Sequence, residues 1–271
     1  MVPTRMRWLV GLVWVVACNG KQPAQLTKEP VGSATVGTGS ADPAWAKDPP
    51  EVLRGKINGV NADVIVMRTG PLLEYRDVLA TVEKTPGVAN AEAFTFSELE
   101  IEKAGRPPQP IQLKGVDPAR VGRVLTIGKH MKTGTLDALA ATATPPPIVL
   151  GDVLAKTLSA AIGDDVTVRA RKDGDPLPRE AKTTVFRVAG TFHMDFDAYD
   201  EELALAPLST TQALLDQGDR VMGIELTVTD IKSSQALAKT IETALGGPPY
   251  QAQDWYELNQ QLFQALGHKR P

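Results

Sequence analysis

Cys18 is the only cysteine in this chain of 271 residues. Without a second thiol there is no internal disulfide and no thiolate zinc site, so whatever folds downstream is held by apolar burial alone. The position of Cys18 is informative too. Met1–Arg7 carries Arg5 and Arg7 and no acid, and Trp8–Ala17 is an unbroken apolar run of ten residues. A bilayer needs about 20. A basic start, a short apolar core and a small residue before the cut read as a secretory signal over 1–17. No later segment reaches 18 uncharged apolar residues, so no other span is expected.

Val15-Val16-Ala17-Cys18 resembles a bacterial lipobox. The resemblance implies that Cys18 carries lipid and becomes the mature N-terminus. The alternative is an ordinary signal with a stray cysteine. Removing 1–17 takes away two arginines and no acid, leaving 27 basic against 32 acidic residues and moving the formal charge from −3 to −5. That balance argues against nucleic acid, which needs a basic footprint.

Residues 18–50 read as a lipidated cysteine and tether. Asn19–Pro50 holds five prolines, four glycines and one aromatic, Trp45. It cannot bury enough apolar surface to offset its ordering entropy. As a flexible coil it would span roughly 30 Å.

Residues 51–267 read as the folded region. Asp63–Arg68 is a β-branched strand. Pro71–Lys84 places Leu72, Tyr75, Val78, Leu79 and Val82 at helical intervals, and Thr85-Pro86-Gly87 stops it. Val88–Glu102 and Ile111–Val116 are strands. Ala119–Thr144 reads as short helices or loop. Gly151–Ala161 is a helix with Val153, Leu154, Leu158 and Ile162 at core spacing. Asp164–Arg171 and Thr183–His193 alternate and should pair as a hairpin. Ser209 is placed to cap a helix, and Gly223–Thr229, a helix to Gly246 and Tyr250–Ala252 repeat the β-α-β order. Asp254 leads a last helix with Trp255, Leu258, Leu262 and Leu266 on one stripe, expected to pack in the core. Two β-α-β units around a β-rich segment predict an α+β fold. It is a split ferredoxin-like β-α-β layer with a smaller inserted β-rich subdomain at about 146–193.

A set of segments in order resembles one known family. They are Gly115-Val116-Asp117-Pro118, Ile148-Val149-Leu150-Gly151-Asp152-Val153-Leu154-Ala155 and Gly163-Asp164-Asp165-Val166-Thr167-Val168. Phe186–Phe192, Ala204–Leu208, Val221–Leu226 and Asp254-Trp255 with Leu262-Phe263 continue the series. Together they are similar to the periplasmic domain of lipoprotein-releasing ABC permeases (LolC/LolE type) and of the related exporter MacB. In those permeases the domain lies between two transmembrane helices. The resemblance leads to the expectation that a lipobox and tether replace the first helix here and that the domain works without its own ATPase or channel. The resemblance implies a lipid-anchored, non-catalytic extracytoplasmic domain, accessory to an ABC-type lipoprotein-release or export system. The alternative is an envelope scaffold or adaptor that kept the fold without the transport role. The expected partners are an ABC permease or ATPase, or a periplasmic lipoprotein carrier, with the membrane reached through lipid. The expected location is the cell envelope, facing the periplasm, with inner and outer membrane both open.

The resemblance also points to a partner site. At Lys172–Lys182 the family's permeases carry a protruding "hook" that docks the carrier. Arg171, Lys172, Asp173, Asp175, Pro176, Leu177, Pro178 and Arg179 match it in position and proline content, against a plain solvated turn. The acidic run Asp195, Asp197, Asp200, Glu201 and Glu202, with His193 two residues before it, is a weak metal candidate through Asp195, Asp197 and Asp200. It lacks the usual loop glycine, and a solvated loop is the competing reading. His130, His193 and His268 have no nucleophile signature beside them. Gly-x-Ser-x-Gly, Walker-type loops and His-Glu-x-x-His are absent. No enzyme activity and no cofactor are expected.

Overall fold

The computed structural model describes residues 47–170 and 182–267. Helix α1 (Pro50–Asn58) starts with a proline, whose missing N–H would be an orphan there in any case, and buries Leu53 and Ile57 one turn apart. Then β1 (Val64–Leu72), α2 (Tyr75–Glu83) and the long β2 (Val88–Glu102) form the first β-α-β unit. The second is β9 (Val221–Val228), α7 (Ser234–Ala244) and β10 (Tyr250–Asp254). Their strands pair antiparallel in the order β10-β1-β9-β2. With successive strands of the two units counted one to four, this is the 4-1-3-2 order of a split ferredoxin-like layer. Alternation along each strand sends Val64, Val66, Ala91, Ala93, Ile224 and Leu226 to one face. There α2 covers them with Val78 and Val82, and α7 with Leu237 and Ile241.

Between these units the chain makes β3 (Gln109–Val116), the short α3 (Val121–Val124), β4 (Met131–Gly134), β5 (Pro147–Gly151) and α4 (Asp152–Leu158). Next come β6 (Asp165–Arg169), β7 (Thr183–Phe192), α5 (Asp197–Glu202), β8 (Leu203–Pro207) and α6 (Leu208–Leu214). The far half of β2 pairs with β3, β3 with β8, β8 with β5, β5 with β7, and β7 with β6. β6 then returns to β2 through Glu100↔Arg169, Ile101↔Val168 and Glu102↔Thr167. Six strands thus close into a small barrel with no free edge among them. Its interior takes alternate residues from every strand, including Leu99, Ile101, Ile111, Val166, Phe186 and Ile148. Leu154 and Leu158 of α4 pack into the same cluster. The β-rich part therefore draws strands from both sides of 146–193. The barrel and the four-stranded sheet share β2, which is long enough at 15 residues to serve in both.

A third apolar cluster lies outside the barrel wall, where Val149, Leu203, Leu205 and Phe192 meet α1, α3 and the C-terminal helices α8 (Trp255–Leu258) and α9 (Gln260–Ala265).

Several local expectations meet the structure differently. Helix α4 stops at Leu158 because Ser159 turns left-handed (φ 50°), and Ile162 beyond it is 52 % exposed. Helix α6 starts directly after Pro207 with no side-chain cap, so Ser209 sits inside it. Asp254 does cap the last segment, in a capping box with Glu257. That segment breaks at Asn259 into α8 and α9, with Trp255, Leu262 and Phe263 in the core.

Candidate functional site

The residues expected to form the partner-binding hairpin, Arg171, Lys172, Asp173, Asp175, Pro176, Leu177, Pro178 and Arg179, lie outside the described residues, as does Cys18. The root of the hairpin is described. β6 and β7 pair from Asp165↔Arg187 to Arg169↔Thr183, and the Ala170 N–H donates to the Lys182 carbonyl at 2.9 Å. Arg169 pairs with Glu102 across the β2 junction at 3.1 Å, and Arg187 with Asp165 at 2.9 Å. Because β6 is held by β2 on one side and β7 on the other, the chain leaves and re-enters a closed barrel wall.

The acidic run is reached from the other end of β7. There the structure gathers His193, Asp152 and Asp200, with donor atoms within 4.8 Å of one another. Asp195 joins from outside, and Asp197 opens α5 without entering the group. Asp152, 41 residues earlier in the chain, was invisible to the reading along the sequence. It arrives because β5 runs parallel to β7 and places the start of α4 beside the end of that strand. His193 Nδ1 is 2.8 Å from Asp152 Oδ1 and 3.3 Å from Asp200 Oδ2, and Nε2 is 2.9 Å from Asp195 Oδ1. Asp200 is buried and accepts the Met194 N–H (2.7 Å) and the Phe196 N–H (3.2 Å), while Lys156 holds the second oxygen of Asp152 at 2.6 Å. The hydrogen bond to Asp152 raises the His193 imidazole above its ordinary value against the effect of partial burial. Burial pushes Asp200 up, against its two backbone N–H bonds. It also opposes ionisation of Asp152, but hydrogen bonds from Lys156 and His193 outweigh it and hold that carboxyl low. One nitrogen and two carboxylate oxygens could in principle face a divalent ion. Here each already has a partner, and the group works as an ion-paired clasp of α4 and α5 to the end of β7.

The Gly115-Val116-Asp117-Pro118 segment has a clear packing reason. Thr95 Oγ1 and Thr211 Oγ1 hydrogen-bond at 2.7 Å across the space where a side chain on Gly115 would stand. Two residues on, Asp117 accepts the Ala119 N–H at 2.9 Å and donates its own N–H to Glu92 Oε2 at 3.0 Å.

The family model for the MacB-like periplasmic core domain matches residues 30–244. The chain belongs to that family. It is a periplasmic domain of the ABC-transporter permease type. Two lipoprotein-releasing system transmembrane proteins LolC, from Xylella fastidiosa strains Temecula1 (ATCC 700964) and 9a5c, are each 26 % identical over 218 residues. The match covers 79 % of this chain and 51 % of each relative. The chain thus spans about half the length of the curated relatives it matches. Among solved structures it is similar to the periplasmic region of MacB from Actinobacillus actinomycetemcomitans (TM-score 0.49, 15 % identity, 82 % of this chain and 100 % of that one). It is also similar to the extracellular domain of the ABC-type transporter YknZ from Gram-positive bacteria (TM-score 0.46, 12 % identity, 71 % and 99 %). No described helix is long and apolar enough to cross a membrane.

Proposed function

We propose that this family member is a lipid-anchored, non-catalytic binding domain facing the periplasm, accessory to an ABC-type lipoprotein-release or export system. The observation that carries the reading is the match to two LolC proteins over 79 % of the chain, coupled to a lipobox-like Val15–Cys18 ahead of it. The closed barrel supports it physically, because a hairpin rooted between two wall strands is a firm base from which to reach a partner. The one described histidine set among carboxylates supports a binding role as well. Both ring nitrogens of His193 are taken by aspartates, which leaves it poorly placed to move a substrate proton.

The test is a pull-down of the tagged full chain from detergent-solubilised envelope, read by mass spectrometry. Recovery of an ABC permease, its ATPase or a lipoprotein carrier is the expected result. Recovery of envelope proteins unrelated to transport would replace this reading with the scaffold or adaptor role.

A further inference from the structure

Three ionisable side chains meet where the barrel joins the four-stranded sheet. Glu92 on β2 and Glu225 on β9 are direct partners in the antiparallel register, on the face turned away from α2 and α7. Lys114 on β3 reaches across from the barrel and donates to Glu225 Oε2 at 2.8 Å and to the Val60 carbonyl at 2.7 Å. Its ammonium also stands 5.2 Å from the centre of the Phe94 ring. All three side chains are buried. Two carboxylates and one ammonium in a dry seam leave one negative charge uncompensated, which is costly in a medium of low polarity.

The hydrogen bonds show where the missing positive charge belongs. Glu225 Oε2 has Lys114, and Glu92 Oε2 has the Asp117 N–H at 3.0 Å. The other two oxygens, Glu92 Oε1 and Glu225 Oε1, are buried without a well-formed hydrogen bond, with the Ala62 N–H a further donor toward Glu225. A carboxylic acid on one side and a carboxylate on the other supply one donor and one acceptor, so a single proton answers both vacancies. Glu225 keeps the ammonium, so Glu92 is the better holder. The remaining charges facing Glu92 do not alter the balance. Asp117 lies beside it and adds negative charge. Arg120 lies near but is engaged by Glu83 and by Asp117, in partly exposed pairs.

We propose that this seam is a buried proton-binding site: the folded domain carries one proton at neutral pH, on Glu92 against Glu225, that the unfolded chain does not. In agreement, burial and then the charge of Glu225 push the Glu92 carboxyl well above its ordinary 4.5, with Lys114 opposing. The proton lies between neighbouring strands β2 and β9, and Lys114 on β3 ties that pair to the barrel.

The sign follows from linkage. A group whose value is raised by folding contributes stability that is complete below its unfolded value and is lost as pH rises through the folded one. The folding constant of the wild-type full chain should therefore fall relative to that of Glu92→Gln, by up to tenfold per pH unit above about pH 5. The nearly isosteric amide has no proton to lose. Urea unfolding of both proteins from about pH 5 to 9 reads this directly. A constant ratio across that range overturns the proposal. Should Glu92→Gln fail to fold, carbon-13 carboxyl shifts of glutamate-labelled wild type decide alone. One protonated glutamate at pH 7 is expected, and all glutamates ionised at pH 7 overturns it.

Discussion

The ammonium of Lys114 lies 2.8 Å from Glu225 Oε2, and both side chains are almost sealed from solvent, at 2 % and 0 % exposure. A lysine on a strand whose other buried residues are apolar is a costly choice, and its worth rests on the partner. Buried ion pairs add little over a well-packed apolar pair, but losing one member strands the other. Lys114→Met should therefore destabilise the domain by about 3–5 kcal/mol. The double variant Lys114→Met, Glu225→Leu should recover part of that loss, since neither member of the pair is left charged, while the buried Glu92 loses its cross-strand partner. Urea unfolding of the two variants checks this. A Lys114→Met protein within about 1 kcal/mol of wild type would show that the pair is not desolvated as described.

Gly115 tests the packing beside that pair. A methyl group there would collide with Thr95 and Thr211, whose hydroxyls are bonded to each other. Overfilling a packed site costs about 1–3 kcal/mol. Gly115→Ala should lose that much, and adding Thr211→Ala should restore part of it by opening space. If Gly115→Ala melts like wild type, the threonine contact is looser than the structure has it.

These two residues also mark how far the sequence could be read. Residue pattern makes the strands legible in outline: Asp63–Arg68, Val88–Glu102 and Gly223–Thr229 fall on β1, β2 and β9, and with α2 and α7 they yield the split ferredoxin-like layer, although β1 runs on to Leu72, which helical spacing assigns to the next element, and β9 begins at Val221. Barrel closure was not legible, because it depends on β6 pairing with a strand more than 60 residues earlier. Helix α1 was passed over for a related reason. Leu53 and Ile57 form a weak pattern alone, and their helix is supported by the apolar cluster they share with Trp255 and Phe263. At the histidine clasp His193, Asp195 and Asp200 were visible as a cluster, but Asp152 was not, since parallel pairing of β5 with β7 supplies it. Lys114 and Glu225 each lay in a recognised strand, yet nothing local announces that two buried charges will face each other across separate halves of a fold.

His193 should titrate above its ordinary 6.5, because Asp152 favours the charged ring. For a raised histidine the stabilisation is complete below 6.5 and fades as pH rises through the folded value. NMR titration of the imidazole should give a midpoint above 6.5, and Asp152→Asn should move it down. An unmoved midpoint in Asp152→Asn would mean the ring is held by Asp195 and Asp200 instead. The gain in stability is small, since the ring is partly exposed and screened.

Cys18→Ser tests the anchor. Stable attachment takes more than one acyl chain, and the proposed lipidated cysteine would supply them. The variant should leave the membrane fraction or accumulate as unprocessed precursor. If it still sediments with membranes as wild type does, the lipobox reading is wrong.

The hairpin between β6 and β7 carries the partner prediction. Its root is a ladder of five residue pairs in a barrel wall, closed by the bond from Ala170 to Lys182. Nothing in that ladder depends on Pro176, Leu177 or Pro178. Replacing those three residues with Gly-Ser-Gly should shift the melting temperature by no more than about 2 °C if the docking role is right, since a docking segment adds little to the core. Binding is a separate matter. On the proposed docking role, two prolines would limit the entropy lost on binding and Leu177 would supply an apolar anchor. Arg171, Lys172 and Arg179 give the segment a basic lean within an acidic protein, which favours an acidic partner surface and a salt-sensitive association rate. The replacement should therefore reduce capture of a periplasmic lipoprotein carrier in a binding assay at low salt, where steering is strongest. A large drop in melting temperature would make the segment part of the fold instead. Unchanged capture at low salt would remove the docking role and leave the adaptor reading in its place.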